Sequence, residues 1–167
     1  MEKELVDEYL TAISDKWNIY REVWGINKWS KNKKRIDAII VCKEFPTQRF
    51  GIEFKREKVD SFHYFTRWFK QAVIYSQTEW DGFGKLVILM APGIQYHSYN
   101  KDDQMMLSRI VGEFGIGEFK KEIYNDWQGN YKKTVYKLVF KQDRVWCSEY
   151  GWNNRSLKQN FNQYLEL

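Results

Sequence analysis

Residues 37 to 55 of the 167-residue chain hold three side chains whose types and spacing fit one chemistry. Asp37 heads the apolar run Ala38-Ile39-Ile40-Val41-Cys42, and Glu53 and Lys55 interrupt Phe50, Ile52 and Phe54. In an extended strand, residues two apart project from the same face, so the acid and base of Glu53-Phe54-Lys55 point the same way. A neighbouring strand carrying Asp37 would set a second carboxylate beside Glu53. Two adjacent carboxylates repel each other and call for a cation. Carboxylate oxygens suit Mg²⁺, and Mn²⁺ can substitute for it. An ammonium on the same face can hold or deprotonate a water beside that ion. Phosphodiester hydrolysis needs these parts: a metal that takes charge from phosphoryl oxygens, and an oriented water. The plainer alternative for each residue alone is a solvated strand edge.

These side chains need elements to position them. Residues 3–15 read as a helix, with Leu5, Val6, Tyr9, Leu10 and Ile13 on one face. Strands are expected over 18–26, 36–43 and 50–56. The polar stretch Lys28 to Arg35 and the Pro46-containing stretch 43–49 form the turns between them. Together they make a three-strand antiparallel meander after a helix. Asp60 or Ser61 can cap a helix running to Ser76. Residues 85–92, Lys-Leu-Val-Ile-Leu-Met-Ala-Pro, read as a buried strand parallel to a sheet neighbour. A helix over 101–113 follows, then strands over 119–126, 132–141 and 143–151, and a terminal helix over 155–165. The expected class is α/β, a central mixed sheet flanked by helices in a single domain over 1–167.

With those elements in place, Asp37 and the Ile52-Glu53-Phe54-Lys55 stretch resemble the PD-(D/E)xK nuclease superfamily. Ile36 stands where the family usually has proline. The resemblance implies a restriction-endonuclease-like core and metal binding by Asp37, Glu53 and the backbone carbonyl of Phe54. The helix after the third strand carries Gln71-Ala72-Val73-Ile74-Tyr75, a Q-x-x-x-Y pattern similar to the RecB-like and lambda-exonuclease-like branch. Residues four apart share a helix face, so Gln71 and Tyr75 would both reach the site or the DNA backbone. The family also places an acid on its first helix. Glu8 is the leading candidate here, and Glu4, Glu2 and Glu22 compete with it. The resemblance covers roughly residues 1–92 and implies a Mg²⁺-dependent deoxyribonuclease, endo- or exonucleolytic, of phage, mobile-element or defence biology. A non-catalytic nucleic-acid- or protein-binding module of the same fold is the competing reading.

Charge is unevenly spread. The chain carries +5 overall, yet residues 31–75 alone carry +6. Lys31, Lys33, Lys34, Arg35, Arg56, Lys58, Arg67 and Lys70 surround the proposed site in sequence and suit a sequence-blind grip on DNA phosphates. Trp68 or Tyr64 is a candidate for stacking on an unpaired base. The two cysteines lie far apart and the two histidines are isolated, so no zinc framework is legible. No apolar run is long enough to span a bilayer, which leads to the expectation of a cytoplasmic protein, with homodimerisation left open.

Overall fold

A computed structural model of the protein describes residues 2–55, 62–94, 101–125, 127–130 and 132–153. Helix α1 (Glu2–Ile13) leads into three antiparallel strands, β1 (Trp17–Asn27), β2 (Lys33–Cys42) and β3 (Arg49–Phe54). Helix α2 (Phe62–Ser76) and the short β4 (Thr78–Trp80) follow. Strand β5 (Ile88–Ala91) then lies parallel to β3. Helix α3 (Lys101–Glu113) leads to β6 (Ile116–Asn125), parallel to β5, and the antiparallel β7 (Lys132–Phe140), β8 (Asp143–Cys147) and β9 (Gly151–Trp152) complete the sheet. The strand order is β4-β1-β2-β3-β5-β6-β7-β8-β9. The chain is therefore α/β with a mixed sheet. Among the described residues no helix is long and apolar enough to cross a membrane.

Most boundaries fall within two or three residues of the expected ones. Two differ more. Lys33, Lys34 and Arg35 are not turn residues but the start of β2, so the turn is only Lys28–Asn32. Strand β4 was not expected: three residues give no periodicity, and Thr78–Trp80 become a strand only by pairing with Gly25, Ile26 and Asn27. The expected helix over 155–165 lies outside the described residues, as do Asp60 and Ser61, the expected caps of α2.

The sheet has a core on each face. Leu5, Tyr9, Leu10 and Ile13 of α1 bury against Ala38, Ile40, Ile52, Phe54 and Leu89. Phe65, Trp68, Ala72 and Tyr75 of α2 bury against Ile39, Ile88 and Met90 on the other side. Tyr9 sits edge-on to both Phe54 and Phe119, with ring centroids 5.8 and 4.9 Å away. It therefore clamps β3 and β6 from the α1 side. Gly51 on β3 has no room for a side chain, because a Cβ there would lie 2.7 Å from Ile36 and 2.8 Å from Ile88. That close approach lets Ile36 of β2 and Ile88 of β5 close over β3 in the α2-side core.

The sheet also changes face partway along β1. Trp17 and Ile19 join the α1-side core, whereas Val23 joins the α2-side core. Strict alternation would keep these odd-numbered residues on one face. The switch falls at Glu22, which has φ of 51°, a left-handed conformation that non-glycine residues seldom adopt. On β2 the same switch separates Ile36 from Ala38 and Ile40, so Asp37 stands at the point where the sheet turns over.

Candidate active site

The β2–β3 register pairs Ala38 with Ile52, so the next step along the ladder sets Asp37 opposite Glu53. Asp37 Oδ2 accepts a hydrogen bond of 2.8 Å from the Phe54 backbone amide. The carboxyls of Asp37 and Glu53 lie within hydrogen-bonding reach of each other. Glu53 is only 4% exposed. Its Oε1 accepts from Lys55 Nζ at 2.8 Å and from Gln71 Nε2 at 2.6 Å. Its Oε2 is buried without a hydrogen-bond partner.

Helix α2 supplies the other wall. Gln71 Nε2 also donates to the Tyr75 hydroxyl at 3.0 Å, and that hydroxyl donates to the Arg35 carbonyl at 2.9 Å. The four-residue spacing on the helix puts both side chains over β2 and β3. A continuous chain of hydrogen bonds thus runs from Glu53 through Gln71 and Tyr75 to the backbone of β2.

Burial, and then the negative charge of Asp37, push the Glu53 carboxyl from its usual 4.5 up to about 7, while Lys55 pulls it back down. Burial and the nearby Glu53 charge also raise the Tyr75 phenol, which keeps it a hydrogen-bond donor at neutral pH. An unpartnered carboxylate oxygen inside the fold is costly unless something compensates it. Glu53 Oε2 beside Asp37 fits a hard divalent cation, which takes one or two protein carboxylates and keeps several waters. Among the described residues no group of three or more His, Cys, Asp or Glu gathers at one point, so Asp37 and Glu53 would be the carboxylate ligands, with the Phe54 carbonyl between Glu53 and Lys55.

The remaining candidates divide. Lys34, Arg67 and Lys70 line a cleft of about 350 Å³ together with Gln71, Ile74 and Tyr75. Three of the eight basic residues thus meet directly beside the hydrogen-bonded chain. Lys31, Lys33 and Arg35 are exposed on the β1–β2 hairpin, and Arg56 and Lys58 lie outside the described residues. Glu8 does not join Asp37 and Glu53. It accepts a 2.7 Å hydrogen bond from Tyr136 and pairs with Lys121, and Tyr136 belongs to the α1-side core whereas Gln71 reaches Glu53 from the α2 side. Glu4 is exposed on α1, and Glu22 is exposed and pairs with Arg35 at 3.3 Å. The side chain of Glu2 lies outside the described residues. Trp68 is 3% exposed and packs in the α2-side core, so it is not available for stacking on a base. The side chain of Tyr64 is not among those described.

One residue pair escaped the sequence reading. Glu118-Phe119-Lys120 on β6 repeats the Glu-Phe-Lys tripeptide of β3. Met90 of β5 is in register with Glu53 on one side and Glu118 on the other. Glu118 is fully buried; its Oε1 accepts from the Ile94 amide at 2.8 Å and lies 3.2 Å from Lys120 Nζ. It thereby fastens the chain leaving β5, next to the point where the Lys55 amide bonds the Ala91 carbonyl at 2.9 Å. The repeated tripeptide was the available signal.

Compared with known proteins, the chain matches no family model, no curated protein and no solved structure.

Proposed function

We propose that the chain is a metal-dependent DNA nuclease that hydrolyses phosphodiester bonds at the Asp37–Glu53–Lys55 site. The observation that carries this reading is the crowding of two carboxyls, Asp37 and the buried Glu53, with a lysine ammonium on Glu53. Two crowded carboxyls, one of them buried, repel each other and are costly to the fold unless a cation offsets them. The order α1, β1–β2–β3, α2, β5, with β5 parallel to β3, supports a restriction-endonuclease-like core.

Each residue then has a task. Asp37 and Glu53 would hold Mg²⁺ or Mn²⁺. A bound cation of this kind would draw charge from the phosphoryl oxygens and acidify a water. Lys55, held two residues from Glu53, orients that water and balances charge as the phosphorane develops. Gln71 fixes the Glu53 carboxylate in place, and Tyr75 fixes Gln71 to β2. Lys34, Arg67 and Lys70 grip flanking phosphates without reading bases.

Incubation with closed-circular and linear DNA, in Mg²⁺, Mn²⁺ or excess EDTA, tests the proposal. Cleavage is expected with either metal and none in EDTA. Cutting of closed circles would establish an endonuclease. Tight binding without cleavage in any metal would hand the site to a non-catalytic binding module. The cleft has its own signature. Replacing Lys34, Arg67 and Lys70 together by Ala should weaken duplex binding alike for all sequences. It should also make the log–log salt dependence shallower by about 2 to 3. An unchanged salt slope would show that the cleft carries no phosphate.

A further inference from the structure

The β1–β2 hairpin presents apolar rings where folding gives no reason for them. Trp29 in its turn is 59% exposed and Trp24 on β1 is 51% exposed, with Ile26 exposed between them. The turn is nevertheless tightly held. Buried Asn27 accepts from the Trp29 amide at 3.0 Å, the Ser30 amide at 3.0 Å and the Ser30 hydroxyl at 3.2 Å. Its own amide donates to the Ile74 carbonyl at 2.8 Å and to Thr78 at 3.3 Å. Lys28 N bonds the Gln77 carbonyl at 3.0 Å. The turn is thus bolted to the end of α2, the helix that carries Gln71 and Tyr75. Ordering a largely exposed tryptophan gains little burial for the fold, and such a rigid ring is instead suited to contact with a partner.

The surroundings specify the partner's chemistry. Residues 28–35 contain Lys28, Lys31, Lys33, Lys34 and Arg35 and no acid. The Arg35 guanidinium lies 5.8 Å from the centre of the Trp24 ring, and Lys33 lines a shallow cavity of about 380 Å³ with Trp24, Gly25, Ile26 and Asp81. Asp81, Glu79, which stands opposite Ile26, and Glu22, which pairs with Arg35, are acids at this surface, fewer than the basic residues. Neighbouring strand residues point to opposite faces, and here the alternation divides the work. Lys34 turns to the phosphate cleft with Arg67 and Lys70, whereas Lys33 and Arg35 flank the aromatic side. Cations beside flat, exposed rings suit a chain that is anionic along its backbone and aromatic along its bases.

We propose that the β1–β2 hairpin is a base-stacking platform for single-stranded DNA, in which Trp24 and Trp29 receive unpaired bases across the hairpin from the phosphate cleft. This rests on the nuclease reading and names its substrate: an unpaired strand, as at a frayed end or a gap. In duplex DNA the bases are stacked on each other and their faces are not offered to tryptophan.

The test uses the full chain in EDTA, so that binding is read without cleavage. Affinity is measured for a short single strand, an abasic strand of the same length and the corresponding duplex. Trp24→Ala, Trp29→Ala and the double variant are compared with Trp127→Ala, an exposed tryptophan outside the hairpin, and Trp24→Phe keeps a ring. Thermal melts establish that each variant is folded. Each hairpin alanine variant should lose about tenfold on the base-bearing strand and little on the abasic strand or the duplex. Trp24→Phe should recover part of the loss, and Trp127→Ala should behave as the wild type. Equal wild-type affinity for base-bearing and abasic strands, equal losses on both, or no binding to either strand overturns the platform. A protein that stacks bases yet hydrolyses nothing sinks only the nuclease reading. One that hydrolyses DNA with no base dependence sinks only the platform.

Discussion

Lys55→Ala should lower the rate of DNA cleavage by about a hundredfold or more while leaving the fold and DNA binding nearly intact. The lysine is partly exposed at the end of β3 and its ammonium donates to Glu53 Oε1. Its loss therefore opens no core cavity. Both carboxylates remain, so metal binding should persist. Asp37→Asn and Glu53→Gln should lose at least as much rate, through weaker metal binding. These amide variants are better probes than alanine. Asn at position 37 still offers an acceptor to the Phe54 amide, and Gln at position 53 still offers one to Gln71 and Lys55. Alanine at position 37 would instead strip a backbone donor of its partner, a loss of about 1 to 3 kcal/mol that has nothing to do with catalysis. Single-turnover rates and calorimetric Mg²⁺ titrations of all three variants separate the roles. Variants that melt lower yet cut at the wild-type rate would show that the site is misplaced.

Without metal, the protein should become less stable as pH rises through neutrality, and Glu53→Gln should abolish most of that loss. Unfolded, the Glu53 carboxyl titrates near 4.5; folded, burial and the Asp37 charge move it to about 7. Between those values the folded chain holds a proton that the unfolded chain has released. Stability is thus fully present below 4.5 and declines as pH rises toward 7, by up to about 3 kcal/mol. Above 7 both states have lost the proton and the contribution is flat. Gln at position 53 does not titrate, so this variant should be the more stable one at about pH 8 in EDTA and should show a flatter profile. Mg²⁺ competes with the proton for the same oxygens. It should restore wild-type stability chiefly above neutrality and leave Glu53→Gln largely unmoved. Urea melts over about pH 5 to 8, with EDTA or Mg²⁺, decide the matter. Parallel profiles for the two proteins would mean that Glu53 carries no buried charge.

The parts legible in the sequence are those that local pattern determines. A helix, three strands, a helix and a parallel strand follow from apolar periodicity and from Pro46 and the polar turns. Asp37 and Glu53 could be set on neighbouring strands because a meander admits few registers. What was not legible depends on tertiary pairing. Glu118 stands one residue ahead of the expected strand 119–126, and nothing local says that parallel pairing with β5 buries it level with Glu53. Glu8 flanks the apolar face of its helix, yet the clamp of Tyr9 against Phe54 and Phe119 fixes that face, and Glu8 then meets Lys121 and Tyr136. Which tryptophans end up buried also depends on tertiary packing. The face switch at Glu22 lies two residues before Trp24 on β1, whose ring is exposed, while α2 packing buries Trp68.

The central claim is that Asp37, Glu53 and Lys55 form a metal-dependent hydrolytic site. The most direct measurement is single-turnover cleavage of end-labelled DNA across the neutral pH range, in Mg²⁺ and in EDTA, by the wild type and by Lys55→Ala prepared side by side. The account predicts cleavage only with metal, and a loss of about a hundredfold or more in the variant. Cleavage that persists in EDTA, or that is equal in the two proteins, would contradict it.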